Sequence, residues 1–169
     1  MKIILLSVFI FICLFYYSQF ENKSSELTGI VELKEHDSVI QHNAYSLSFN
    51  LDYHQANWVA YLLTRAEVDP LVLEGNRVKR SNEFIADPFI KGTDLSSDYY
   101  KSGYDRGHLA PAGDMTFSRV AMDESFYYTN MSPQVASFNR GIWKKLETQV
   151  RNWAIEYDSL YVVTGPIFF

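Results

Sequence analysis

The sequence predicts an α+β domain, and three observations carry that expectation. Residues 45–50 (YSLSFN) alternate polar and apolar, as a half-buried strand does. Two continuous apolar runs, 58–64 (WVAYLLT) and 159–166 (SLYVVTGP), fit buried strands. Between them, Ile142, Trp143, Leu146, Val150 and Trp153 recur at helical spacing. The apolar fraction of 47% and the length of 169 residues suit one globular domain.

In chain order, the first element is an apolar segment. Residues 3–17 contain only Ser7 outside the apolar and aromatic set, which is short for a membrane span and fits a signal peptide. A signal peptide is expected over 1–18, with a retained anchor formed by residues 3–17 as the alternative. The expected location is secreted or periplasmic, with no lasting membrane partner unless that segment is kept. Residues 19–44 are polar and weakly patterned, a linker or arm, and the folded domain is expected over 45–169. Pro88, Gly92 and Gly103 punctuate a long loop-like stretch over 78–104, and a short strand or turn is expected in 125–134.

The helix follows. With Asn139 as zero and about 100° per residue, Leu146 falls near −20°, Val150 near +20° and Trp153 near −40°. Asn139 then lies at the centre of the apolar stripe, at the helix start, pointing inward. Glu147 and Arg151 fall at the border of the stripe as an i,i+4 pair.

Composition removes several chemistries. The sole cysteine, Cys13, lies in the leading apolar segment, so a disulfide framework, a thiol nucleophile and cysteine-ligated zinc are all excluded from the domain. No G-x-S-x-G elbow and no H-x-x-x-H spacing is present. Net charge is −5, but residues 65–151 carry 12 basic and 12 acidic side chains, leaving room for a local positive patch. His108 is the only histidine after His54 and follows Arg106-Gly107, in what the glycines suggest is a turn. Its imidazole, neutral above a pKa of about 6.5, can take a proton from water. A loop histidine on its own also fits a solvated or structural role. Any metal here would have oxygen ligands, and Mg²⁺ accepts one or two of these while keeping several waters.

Taken together, YDRGHLAPAGDM (104–115), TNMSPQ (129–134), FNRGIWKKLE (138–147) and VVTGP (162–166) resemble the DNA/RNA non-specific endonucleases. The resemblance spans about residues 45–166. It implies a ββα-metal core on a central antiparallel sheet with packed helices, and hydrolysis of DNA and RNA to 5′-phosphate ends. His108 matches the general base, Asn139 the direct Mg²⁺ ligand and Glu147 the acid that positions metal-bound water. Arg106 and Arg151 match arginines at the catalytic centre; Arg80 and Asn130 match substrate-side positions. Mg²⁺ is the implied cofactor, with Mn²⁺ as a substitute; DNA and RNA are the implied partners, and a homodimer accords with the family. Asp105 and Asp114 read as turn and packing residues. The family domain continues beyond Thr164-Gly165-Pro166, so a C-terminally truncated domain is expected. The alternative reading is an inactive or unstable remnant with at most nucleic-acid binding. A histidine base further predicts loss of activity below about pH 6.5.

Overall fold

The computed structural model describes residues 39–93 and 95–168. The expected signal peptide and most of the expected arm lie outside the described residues. The arm does not extend to residue 44 as a linker. Strand β1 (Val39–Gln41) already pairs with β2 (Ser46–Asn50), which pairs with β3 (Gln55–Thr64). The polar composition of this stretch hides the reason. His42 is buried and bonds Asp87 at 3.0 Å, while the Asn43 backbone and side chain both donate to Glu124 at 2.7 Å. These bonds tie the start of the sheet to distant loops and satisfy polar groups that burial would otherwise penalise.

Two short helices follow, α1 (Arg65–Val68) and α2 (Pro70–Leu73), and then α3 (Ser96–Tyr99) within the expected irregular stretch. Strand β4 (Asp105–His108) leads through α4 (Arg119–Glu124) and a 3₁₀ turn (Tyr128–Asn130) to β5 (Met131–Gln134). Helix α5 (Ala136–Phe138) runs through a π turn (Asn139–Trp143) into α6 (Lys144–Tyr157), and β6 (Ser159–Thr164) completes the order. The four-stranded sheet has the antiparallel order β1-β2-β3-β6, and β4 pairs antiparallel with β5 as a separate ribbon. This is the α+β architecture expected from the sequence.

The core follows from strand alternation. Val59, Tyr61 and Leu63 of β3 point to one face, where Leu47, Leu109, Met115 and Ala154 complete the main cluster. Trp58 and Ala60 point to the other face, against Val39. With neighbours on both sides and cover on both faces, β3 reads in sequence as a continuous apolar run. β6 has a similar composition but, among the described residues, has β3 as its sole strand neighbour. Leu160 and Val162 pack inward, whereas Tyr161 and Val163 are 43% and 47% exposed. An apolar run alone does not separate these cases.

The helical stripe is also corrected. Val150, Ala154 and Ile155 meet the core, while Ile142, Leu146 and Trp153 are exposed. The π turn widens the helix just after Asn139, so angles counted from Asn139 at uniform α pitch do not carry into α6. Asn139 does not stand at the helix start either, because α5 precedes it.

Gly165 closes the β3–β6 edge at a point where a Cβ would lie 2.5 Å from the Asn57 carbonyl oxygen. Backbone cannot swing aside as a side chain can. Gly165→Ala is therefore expected to lower stability by about 1–3 kcal/mol, read from the urea midpoint; an unchanged midpoint would contradict this packing.

Candidate active site

The β4–β5 ribbon sets out the first half of the site. The D-R-G-H segment is a strand rather than the expected turn, with His108 opposite Met131 at its end. Gly107 serves close approach: a Cβ there would collide with the Gln134 side chain. Beyond His108, the chain is held by Asn130. Its side chain accepts from the Ala110 N–H at 2.8 Å and donates to the Ala110 and Ser125 carbonyls at 2.9 and 2.8 Å.

His108 is 7% exposed. Its ring meets Phe126 edge-on at 4.8 Å and Phe84 at 5.9 Å, and Trp143 Nε1 donates to its carbonyl at 3.2 Å. Nε2 is buried and has no hydrogen-bond partner within the protein. Burial, and secondarily the charge of Arg80, pull the His108 pKa down to about 3. The free site therefore keeps this imidazole neutral well below pH 6.5, which corrects the expected acid limit for protonation of this residue.

Helix α5 and the π turn supply the second half. Asn139 donates Nδ2 to Asp105 Oδ2 at 3.0 Å, which leaves the amide oxygen as the atom available to a cation. Arg140 grips the same carboxylate with two bonds, of 2.8 and 2.6 Å. Arg140, then Asn139, hold the Asp105 pKa below the usual carboxylate range. Asp105 thus has a different place from the turn residue expected of it: it joins β4 to the π turn. Glu147, one turn into α6, is half-buried. Burial first, then the charge of Asp114, raise its pKa to about 7, against the pull of Arg151 and Arg80. An added cation would reverse that shift.

Arg80, Arg106, His108, Asn139 and Glu147 line one open cavity of about 460 Å³, as the motifs predict they should converge. Arg80 lies over the Phe126 ring at 4.9 Å, and partial burial lowers its pKa. Arg106 stacks on Phe84 at 4.1 Å and donates to the Tyr128 hydroxyl at 3.3 Å. These aromatic seats fix guanidinium orientation before any substrate arrives. Two cations not singled out in the sequence, Arg140 and Lys144, share the cavity wall; their position beside Asn139 in the same segment was the available signal.

Two expected site residues lie elsewhere. Asn130 is fully buried, its amide committed to the backbone bonds above, so it offers no surface to a substrate. Its contribution is to fix the chain that follows His108. Arg151 does not pair with Glu147 but reaches Asp114 at 2.7 Å and Thr148 at 3.1 Å. Asp114 is fully buried and also accepts from Tyr61 at 2.8 Å. A buried carboxylate demands a charged partner more strongly than a half-exposed one does, which explains the choice. Arg151 thus braces the cavity from behind Gly113, where a Cβ would come within 2.8 Å of its Nη1.

Among the described residues no three histidine, cysteine or carboxylate side chains cluster as a metal cage. The donors present do fit one hard cation that keeps most of its waters: an oriented amide oxygen and a carboxylate shielded from solvent, both on the cavity. Asn139 and Glu147 would hold it.

The site thus sets a strand ending in a buried imidazole against a helix that presents an amide oxygen among arginines. The chain belongs to the DNA/RNA non-specific endonuclease family, whose model matches residues 26–169. It is 38% identical to Nuclease C1 of Cunninghamella echinulata var. echinulata over 133 residues, covering 76% of this chain and 51% of that protein. It is 34% identical over 144 residues to the human mitochondrial Endonuclease G, covering 84% and 45%. Among solved structures, an EndoG/EndoGI complex superposes with a TM-score of 0.72 at 37% identity, covering 81% of this chain and 56% of that one. The chain spans about half the length of the curated relatives it matches.

The shifted histidine has a measurable sign. An unfolded histidine binds its proton near pH 6.5 and the folded one near 3. The unfolded chain therefore binds more protons between these values, and this contribution to stability, complete above pH 6.5, is lost as pH falls toward 3. The His108 ring resonances in NMR are expected to stay at neutral-imidazole positions from pH 8 to pH 5; a midpoint near 6.5 would contradict the buried geometry.

Proposed function

We propose that this chain is a divalent-metal-dependent endonuclease that hydrolyses phosphodiester bonds of DNA and RNA without reading sequence, leaving 5′-phosphate ends. The carrying observation is that His108, an imidazole that burial keeps neutral, lines the same cavity as Asn139 and Glu147. Water entering the cavity gives its proton to His108 as its oxygen bonds phosphorus; the bond from phosphorus to the 3′ oxygen breaks, and that oxygen leaves protonated by solvent.

Arg80, Arg106, Arg140 and Lys144 surround the position where the non-bridging oxygens carry growing negative charge. A divalent ion at Asn139 and Glu147 supplies further charge neutralisation when bound. Asp105 prevents the Asn139 amide from turning its NH₂ toward the cation. The wall carries Arg80, Arg106, Arg140 and Lys144, chemistry that addresses backbone phosphate rather than base edges, so discrimination among sequences is not built in. Mg²⁺ is the ion we assign, given two oxygen donors and room for retained waters. The apolar segment at 3–17 supports export to a secreted or periplasmic location.

Digestion of plasmid DNA and of RNA, with and without EDTA, tests this reading. Both substrates are expected to be cut with Mg²⁺, and both EDTA and His108→Ala to abolish cutting; activity that survives the two together ends the proposal. Asp105→Asn is expected to raise the Mg²⁺ concentration for half-maximal activity about 10–100-fold, with the thermal midpoint measured alongside; an unchanged Mg²⁺ requirement would remove Asp105 from this role.

A further inference from the structure

Beside the catalytic cavity lies a second open cavity of about 430 Å³, with Arg106 as the wall between them. Its lining differs in kind. Tyr100 and Tyr104 stand on its rim at 73% and 52% exposed, above Tyr99 and Tyr128, whose rings stack at 6.0 Å and 27°. Lys101, in a left-handed backbone conformation (φ 55°), carries its Nζ to 5.1 Å from the Tyr100 ring centre. The one carboxylate here, Asp105, is already held by Arg140 and Asn139. Arg106 is anchored from both directions, stacked on Phe84 in one and bonded to the Tyr128 hydroxyl in the other.

We propose that this second cavity is a subsite for an unpaired nucleobase, that of a nucleotide flanking the scissile phosphate, stacked on Tyr100 and Tyr104. The inference rests on the nuclease reading for the phosphate that Arg106 would share. Flat rings with a lysine and an arginine at their margins match a base with its phosphate. Every base has a π face, so such a platform accepts any sequence, in keeping with the cavity beside it. A base within a duplex is already stacked and paired on both sides and enters only after being pulled out. The subsite therefore favours single-stranded over double-stranded substrate, a preference the phosphate contacts alone do not provide.

The test compares the full chain with its Tyr100→Ala/Tyr104→Ala variant on an oligothymidylate single strand and on a 20-base-pair duplex. Base–aromatic stacking predicts that the ratio of kcat/KM, single strand over duplex, falls about tenfold, and that Tyr100→Trp/Tyr104→Trp restores it. An unchanged ratio, or equal loss on both substrates, overturns the subsite. Anisotropy of the same labelled oligothymidylate on His108→Ala protein in EDTA separates the two readings. If the unsubstituted chain cuts nothing, yet the tyrosine variant binds the strand about tenfold more weakly, the subsite stands and the nuclease reading fails. If the chain cuts and neither measurement responds to the tyrosines, the subsite alone fails.

Discussion

The carboxylate of Asp105 is the joint on which the site depends. It extends from β4 and holds two consecutive residues of the π turn, Asn139 by its amide and Arg140 by a paired grip. Without that joint, the ribbon carrying His108 and the helix carrying Asn139 and Glu147 would meet only through packing and the Trp143 bond to the His108 carbonyl. Packing sets distances to within a side chain's freedom; a charge-assisted bond sets which atom faces the cavity. The amide oxygen of Asn139 is presented because its nitrogen is occupied.

Electrostatics in the cavity then run in opposite directions at its two principal groups. Burial raises the cost of charge on both His108 and Glu147. For the imidazole this favours the neutral form. For the carboxylate it favours the protonated form, and a nearby cation would draw that proton off. The surrounding arginines increase the first effect and only partly offset the second. One environment, apolar behind and cationic around, thus shifts both groups toward their neutral forms, the arrangement the proposed base and cation seat would use.

What the sequence made legible was local. The segments around His108 and Asn139 carry their chemistry in consecutive residues, and Arg106 and Glu147 came with them. The strands β2 and β3 announced themselves by alternation and by an unbroken apolar run. What could not be read depended on partners far along the chain. Arg151 has Glu147 four residues away but binds Asp114, 37 residues distant, because the deeper carboxylate needs it more. Asn130 has the type of a ligand and the surroundings of a brace, and only tertiary contact with the 110 and 125 carbonyls distinguishes the two. The β1 strand was hidden by polar residues whose partners, Asp87 and Glu124, are supplied by other loops. β6 was legible as a strand but not as one with β3 as its sole described neighbour, since composition does not count neighbours.

The π turn places a further demand on this chain. Between Phe138 and Lys144 the backbone accommodates one residue more than a regular helix would for the same advance. Losing that residue would rewind the segment to ordinary pitch and rotate what precedes it by about 100° relative to α6. Asn139 would then swing away from Asp105 while the body of α6 kept its seat on the sheet. Substitution at the exposed Ile142 can be absorbed, but deletion cannot. Descendants of this sequence that keep Asn139 bonded to Asp105 should therefore hold the spacing between Asn139 and Glu147 constant.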